Sequence, residues 1–458
     1  MEFRDVIHGS IFVSDAESEV IQNRFFQRLR SIKQLGFAEF SYPTACHNRY
    51  VHSLGAMHTA SRIFDTVFYP KLIPEAFDFD VLGLLGQIPP TGKNRFRACL
   101  RLGALLHDIG HGPLSHTTEI AMPKVSEIGL PKIVPIKDNS RRSGHEDYTL
   151  KLLLDSDLSR VIEEQFSNFG ITPTHVACLI DGAIETKDDF FHETIGGEKI
   201  DFRPILKQMI SSEIDADRMD YLRRDNFYAG VSYGDFDFDW LLANLTGNIL
   251  NGRCYLSIRH RALYTFEDFL ISRYHMFLMV YFHNKSVAYD EMLAHFFNDP
   301  NCDYQIPSNI DEYCECDDNH LLAHLSKSKN LWAQRIANKN PFQLLIEIHS
   351  GIPAAEFAEE QQLEFLGKLK KKLTAEDIEF IESKSLGELS KYFRKPGDPL
   401  FVIYDNGLTP IQAIPLQECT NLFSRYEEKR RIHRVYVAPE KIKLAKKAAT
   451  TLPQIQFN

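Results

Sequence analysis

His107-Asp108-Ile109-Gly110-His111-Gly112-Pro113-Leu114-Ser115-His116 is the stretch that decides how this chain is read. Before it, Cys99 to Leu106 is apolar apart from Arg101 and Gly103, which predicts a buried helix. Histidine is costly to bury without partners. A packed helix that ends in His107, His111 and His116 therefore implies a shared polar site. Neighbouring side chains on a helix point about 100° apart, so His107 and Asp108 reach one ion only at a helix end or a distortion. Gly110, Gly112 and Pro113 supply that end. Imidazole nitrogen with carboxylate oxygen suits a divalent ion, with Mn, Fe, Ni, Co, Zn or Mg as candidates.

Three further clusters lie outward from this stretch. They are His47-Asn-Arg49-Tyr-Val-His52-Ser-Leu-Gly, then Gly144-His145-Glu146-Asp147-Tyr148, then Glu213-Ile-Asp215-Ala-Asp217-Arg218-Met-Asp220-Tyr221 with Arg223, Arg224 and Asp225 after it. A metal held by His107 and Asp108 needs two more ligands. His52 and Asp217, each on an expected helix, are the natural candidates. A His–His–Asp–Asp set leaves positions open for water and substrate. A lone His–Asp pair is common in proteins without metal; the weight rests on the whole arrangement.

Helical signals dominate the first three hundred residues. Ser14-x-x-Glu17 is a capping box, and Ile21, Phe25, Leu29 and Ile32 recur at helical spacing behind it. Leu54, Met57, Phe64 and Val67 mark a second helix, and Thr265 to Phe297 reads as one long helix. Residues 70–97, with Pro89-Pro90 and the basic run to Arg97, read as a short helix and exposed loop; residues 122–144 read as loop. Asn251-Gly252 between apolar runs predicts a hairpin near 248–258, because both residues tolerate positive φ. After residue 300 the character changes: a polar acidic stretch, short helices to about 395, a second hairpin around Asn406-Gly407, and a strand over His433–Val437. The expected organisation is therefore 1–300 and a smaller α+β domain over 301–458, serving oligomerisation or regulation.

Composition narrows the function. The 458 residues are 44% hydrophobic and 25% charged, enough for a large core and against wholesale disorder. A formal net charge of −10 disfavours a protein that coats nucleic acid, while allowing a local basic pocket for a small polyanion. No apolar run reaches membrane-span length, and MEFRDVIHGSIF lacks a signal-peptide pattern. The eight scattered cysteines read as reduced thiols, so a cytoplasmic location is expected. Cys314 and Cys316, with Cys302 and His320, lack the CxxC pair of a zinc knuckle and read as a polar loop.

These motifs resemble the HD superfamily, specifically its dNTP triphosphohydrolase branch, which includes the SAM-and-HD-domain dNTPase of animal cells and bacterial relatives. The matching stretches are Arg28-Leu-Arg-Ser-Ile-Lys-Gln34-Leu35-Gly, His47 to Gly55, His107 to His116, His145-Glu146, and Asp215-Ala-Asp217-Arg218-Met-Asp-Tyr221-Leu-Arg-Arg-Asp225. The match begins almost at Met1, so no SAM domain is expected ahead of it, and it covers roughly residues 1–300. The resemblance implies a mainly α fold, an HD-domain helical core with a smaller C-terminal α+β region. It implies hydrolysis of dNTPs at the α-phosphate to deoxynucleoside and inorganic triphosphate. His52, His107, Asp108 and Asp217 would be the metal ligands. His111, His116, Glu119 and His145 would stand beside the ion. His116 would protonate the leaving oxygen, and His111 supported by Glu119 is the alternative acid. Arg49, Arg218 and Arg273 would contact phosphates, and Gln34 and Asp225 the 3′-hydroxyl. Leu35, Tyr221 and Tyr281 would crowd the sugar and reject a 2′-hydroxyl; without the resemblance they read as core. Arg223 and Arg224 read as solvated surface residues. A homo-oligomer, a tetramer or larger, and a nucleotide effector follow as family expectations. The gap between His52 and His107 exceeds that of the animal enzyme, so an insertion near 70–97 would cover the pocket or an interface. Competing readings are a 5′-nucleotidase, a phosphodiesterase, or a catalytically quiet nucleotide sensor. The His111-Gly-Pro-x-Ser-His116 extension argues against a simpler HD hydrolase.

Overall fold

The computed structural model describes residues 1–69, 84–350, 356–387, 398–422 and 430–452. A first hairpin, β1 (Glu2–Asp5) and β2 (Gly9–Phe12), leads into α1 (Asp15–Gln22) through the Ser14–Glu17 capping box. Ile21, Phe25, Leu29 and Ile32 are all buried, but not on one helix. Asn23 leaves the helical region (ψ 138°) and caps a new short turn by accepting from the Phe25 amide. An asparagine side chain competes with the backbone ladder, so it interrupts an apolar stripe that periodicity alone would continue.

The frame of the site is α2 (Arg49–Phe68) and α3 (Pro90–Leu106), packed against each other. Asn48 caps α2 by accepting from the Val51 amide. Leu54, Met57, Phe64 and Val67 turn inward as expected. The basic run ending at Arg97 is not a loop. Proline at the first turn starts α3 at Pro90, where a missing N–H costs nothing. Arg97 then pairs with both oxygens of Asp65 at 2.8 Å, and Arg95 donates to the carbonyls of Phe190 and His192. The expected insertion over 70–83 lies outside the described residues.

Helices α4 (His145–Leu154), α5 (Pro173–Ile180), α6 (Arg203–Ile210) and α7 (Ala216–Ala229) complete this half, with α7 against α2. The expected loop over 122–144 holds one short helix, Val125–Ile128. The hairpin is β5 (Leu245–Leu250) and β6 (Arg253–Arg259), turning at Asn251 (φ 51°) and Gly252 (φ 72°). The expected long helix is divided: α8 (Leu263–Met276), a wide π-helical turn at Phe277–Tyr281, and α9 (Asn284–Asn298). Such turns re-aim side chains at functional sites, and Phe277 and Tyr281 both face the cavity described below.

A mixed sheet spans both halves of the chain. Its order is β10 (Gln412–Pro415), β9 (Phe401–Tyr404), β6, β4 (Glu198–Asp201), β3 (His192–Ile195), with β5 on β6. β9 runs parallel to β6, with Ile258 opposite Val402. The second hairpin therefore forms, with a longer connection at Asn406-Gly407 than a two-residue turn. The stretch read as short helices to 395 also holds β7 (Gln343–Ser350) and β8 (Phe380–Gly387), which flank β11 (Arg430–Val437) in an antiparallel sheet. Strand formation there depends on distant partners rather than local pattern. Ahead of it, Cys314 and Cys316 are buried rather than looped in solvent, and Tyr304 Oη lies 3.2 Å from Cys316 Sγ and 2.9 Å from His320 Nδ1. All eight cysteines are free thiols. Among the described residues no helix is long and apolar enough to cross a membrane. The mainly α expectation is met.

Gly110 sets how closely α4 approaches the end of α3. A Cβ there would sit 2.2 Å from the His145 carbonyl and 2.2 Å from the Thr149 amide, both backbone atoms that cannot swing away. Gly110→Ala is expected to destabilise the fold by ~1–3 kcal/mol or more, read as a lowered denaturant midpoint at unchanged slope.

Candidate functional site

Three helix ends deliver four side chains to one point. His52 lies in the first turns of α2, His107 and Asp108 close α3, and Asp217 stands in the first turn of α7. Asp217 Oδ1 is 3.0 Å from His52 Nε2 and 3.4 Å from His107 Nε2. Asp108 lies 3.6 Å from His52 Nε2 and 3.5 Å from His107 Nε2. Both Nε2 atoms are buried and neither makes a well-aligned hydrogen bond. Their Nδ1 atoms are fixed from behind: His107 Nδ1 donates to the Ala104 carbonyl at 2.8 Å and His52 Nδ1 to Asp220 Oδ2 at 2.8 Å. This arrangement turns both imidazole lone pairs toward the carboxylates, as in a metal site with oriented ligands. His52, His107 and Asp108 lie close enough together to hold a divalent metal ion, with Asp217 beside both imidazoles and the element left open.

The charges agree with that assignment. Burial opposes the His52 charge, but Asp217 and Asp220 outweigh it and push its pKa up to about 10. Burial also works against the Asp108 carboxylate, yet Arg49, His107 and His111 hold it well below the usual range. Arg49 forms an ion pair with Asp108 Oδ2 and donates from Nε to Ser115 Oγ at 2.8 Å. A divalent cation would take the place of the protons that the carboxylates otherwise attract to the imidazoles.

Behind the ligands lies a network that sequence reasoning missed. Asp220 accepts from His52, from His8 Nε2 at 2.6 Å, and from Arg224 Nε at 2.9 Å, and Arg224 continues to Asp5 at 2.8 Å. Arg224 is fully buried, which corrects its reading as a solvated residue. Arg223 also packs, its guanidinium 4.2 Å from the Phe238 ring centroid. Gly55 makes the space: a Cβ there would meet Asp220 Oδ1 at 2.0 Å. The available signal was the i, i+4 spacing of Asp220 and Arg224 on an expected helix.

A second group stands beside the first. His111 Nε2 is 3.3 Å from Asp108 Oδ1, and its ring stacks on His145 with centroids 3.8 Å apart and planes 10° from parallel. Glu119 Oε1 accepts from His145 Nδ1 at 2.5 Å and from His116 Nδ1 at 3.1 Å. Glu119 thus serves His145 and His116, rather than His111 as the sequence reading had it. Burial, with the Arg49 and His145 charges, holds His111 well below the ordinary imidazole range. His111, His116, Glu119 and His145 also lie close enough together to hold a metal ion, but Glu119 already accepts from His145 and His116, which suits proton handling.

Both groups open on a cavity of about 400 Å³. Gln34, Leu35, Arg49, Asp108, His111, His116, His145, Asp217, Tyr221, Asp225 and Tyr281 line it. Leu35, Tyr221 and Tyr281 therefore form a wall rather than core. Gln34 Oε1 is buried without a hydrogen-bond partner. Asp225 accepts from Tyr281 Oη at 2.7 Å and from His47 Nε2 at 2.8 Å. Arg218 and Arg273 are not among the lining residues. Arg273 is paired with Glu213 at 3.1 Å, and Arg218 with Asp215 at 2.5 Å.

Removing the support behind His52 should loosen the ion without removing a ligand. Asp220→Asn is expected to weaken divalent-metal affinity by about 10- to 100-fold, measured by titration against a competing chelator.

Comparison with known proteins gives the same architecture. An HD domain model matches residues 49–225, spanning all four candidate ligands. The chain is 33% identical over 284 residues to the uncharacterized protein YwfO of Bacillus subtilis, 61% of this chain and 51% of that one. It is 25% identical over 443 residues to the deoxynucleoside triphosphate triphosphohydrolase SAMHD1 homolog of Dictyostelium discoideum, 93% of this chain and 75% of that one. A crystal structure of a hypothetical protein from Aquifex aeolicus superposes with a TM-score of 0.69 at 25% identity, over 98% of this chain and 99% of that one. The chain spans 51% to 59% of the length of the first four curated relatives it matches. The four candidate ligands lie inside the segment that matches the HD domain, and the chain is similar over most of its length to a dNTP triphosphohydrolase homolog.

Proposed function

We propose that this HD-domain protein is a metal-dependent dNTP triphosphohydrolase that cleaves at the α-phosphate and releases deoxynucleoside and inorganic triphosphate. One observation carries the reading: Asp108 and Asp217 of the His52–His107–Asp108–Asp217 group, and His111, His116 and His145 of the second group, line one cavity, with Gln34, Leu35, Asp225 and Tyr281 on its wall. A divalent ion held there supplies Lewis acidity at the α-phosphate and lowers the pKa of the attacking water.

The chain's own residues supply the rest. Arg49, which lines the cavity, is the first cation in line for phosphate. Arg218 and Arg273 join only by giving up their hold on Asp215 and Glu213. His116 reaches solvent, and its Nδ1–H donates to Glu119, which leaves Nε2 to carry the proton to the departing 5′-oxygen. His145 shares that carboxylate, and His111 packs beneath it. The orphaned Gln34 Oε1 accepts the 3′-hydroxyl, and Asp225 completes that contact. Leu35, Tyr221 and Tyr281 crowd the sugar and leave no room for a 2′-hydroxyl, which penalises ribonucleotides. Assembly into homo-oligomers, control by a nucleotide effector, and a regulatory or oligomerising part for residues 301–458 belong to the same proposal.

The purified protein, incubated with each dNTP and Mn²⁺ or Mg²⁺, should yield deoxynucleoside and triphosphate, and a chelator should stop it. Monophosphate with pyrophosphate, or orthophosphate, would move the reaction to another class of nucleotide hydrolase. Asp108→Ala is expected to lose both ion and turnover; full metal occupancy in that variant would remove Asp108 from the ligand set. His116→Ala should keep the ion and lose about 10²- to 10⁴-fold in kcat.

A further inference from the structure

Asp318 lies far along the chain from the candidate site residues, yet it touches the site's scaffold twice. It opens α10 (Asp318–Lys327), where Asp317 caps the helix by accepting from the His320 amide. Its own carboxylate points away from the helix and is 3% exposed. Oδ1 accepts from the Leu114 amide at 2.6 Å, and Oδ2 accepts from the Lys33 amide at 3.0 Å. Those two amides belong to the segments that carry His116 on one side and Gln34 and Leu35 on the other.

Both segments need holding. Leu114 (φ 54°) and Ser115 (φ 60°) are consecutive non-glycine residues in the left-handed region, a conformation that persists only where surroundings enforce it. Ser115 Oγ donates to the Lys33 carbonyl at 2.6 Å and accepts from Arg49 Nε at 2.8 Å. The Lys33 segment is tied in turn to α2's start, through Gln34 N to the His47 carbonyl and Arg49 N to the Ile32 carbonyl. Asp318 thus closes a ring of hydrogen bonds through Lys33, Ser115 and Leu114, from which Ser115 leads on through Arg49 to Asp108. Burial pushes its pKa up to about 6 in spite of the two amides and Lys33. A buried carboxyl that could be replaced by an apolar residue is here spent on two backbone donors that would otherwise be orphaned.

We infer that Asp318 is a positioning residue: one carboxylate, supplied from outside the matched HD domain, clamps the Gln34–Leu35 segment to the Leu114–His116 segment and so fixes the distance between sugar wall and proton carrier. The catalytic part of this inference rests on the proposed dNTP hydrolysis; the clamp itself does not.

Asp318→Asn keeps the shape but offers one acceptor, and its amide N–H₂ faces a backbone donor. Hydrogen exchange at the Lys33 and Leu114 amides should rise by about tenfold at one or both sites. With dNTP substrates kcat/KM should fall by about tenfold or more, with the dNTP-to-NTP preference narrowing, while bound metal stays stoichiometric. Asp317→Ala weakens the α10 cap but leaves both clamped amides alone, and should keep both the exchange protection and the sugar preference. Unchanged exchange in Asp318→Asn, or equal losses in the two variants, overturns the clamp. If the wild-type protein hydrolyses no dNTP, the functional reading fails, and the exchange measurement still decides the clamp.

Discussion

A buried carboxylate cannot remain charged alone, and this structure is organised around satisfying several of them in one small volume. Asp108 has Arg49 and three imidazoles, and Asp217 has His52 and His107. Asp220 has His52, His8 and Arg224. His52 serves Asp220 with one nitrogen and turns the other to the common centre, and His107 faces that centre with one nitrogen while the backbone holds the other. The ligand geometry follows from this pairing, because rotating any ring would strand a buried charge. The surrounding helices converge by their ends, where short side chains and unpaired backbone groups meet.

The same constraint explains the two groups of histidines. Those near Asp217 are isolated by two carboxylates and face a point between them, which is what a cation needs. Near Glu119, His116 and His145 share one carboxylate while His111 stacks on His145, an arrangement suited to passing a proton at the edge of the cavity. Two adjacent clusters of the same residue types thus differ in how their carboxylates are shared. The wide helical turn at Phe277–Tyr281 adds the cavity's far wall, where Tyr281 reaches Asp225.

Much of the site was legible because its residues come in short, dense motifs. His107-Asp108 and the glycines after them announce a helix that ends in a polar cluster, and His52 and Asp217 are the kind of residues such a cluster lacks. The hairpin at Asn251-Gly252 was legible for a similar reason, since both residues adopt positive φ there. Less was legible where partners lie far apart. Arg224 looks like any surface arginine until Asp5 and Asp220 close around it, and Gly55 looks like a helix flaw until the space for Asp220 is seen. β7 and β8 carry no local signal strong enough to overcome the helical reading. The break at Asn23 and the turn at Phe277–Tyr281 interrupt apolar stripes that periodicity would have run straight through.

The sequence by itself determined the inventory: which side chains can bind a cation, which can carry a proton, and which stripes must be buried. It did so because periodicity and residue chemistry are local properties of the chain. Only the tertiary structure decided the pairings: Glu119 with His145 and His116, Arg218 and Arg273 with acidic neighbours rather than the cavity, Asp318 with two distant amides. Apart from the i, i+3 neighbours His116–Glu119 and Asp215–Arg218, these contacts depend on distance and direction between segments tens to hundreds of residues apart, which no spacing along the chain encodes.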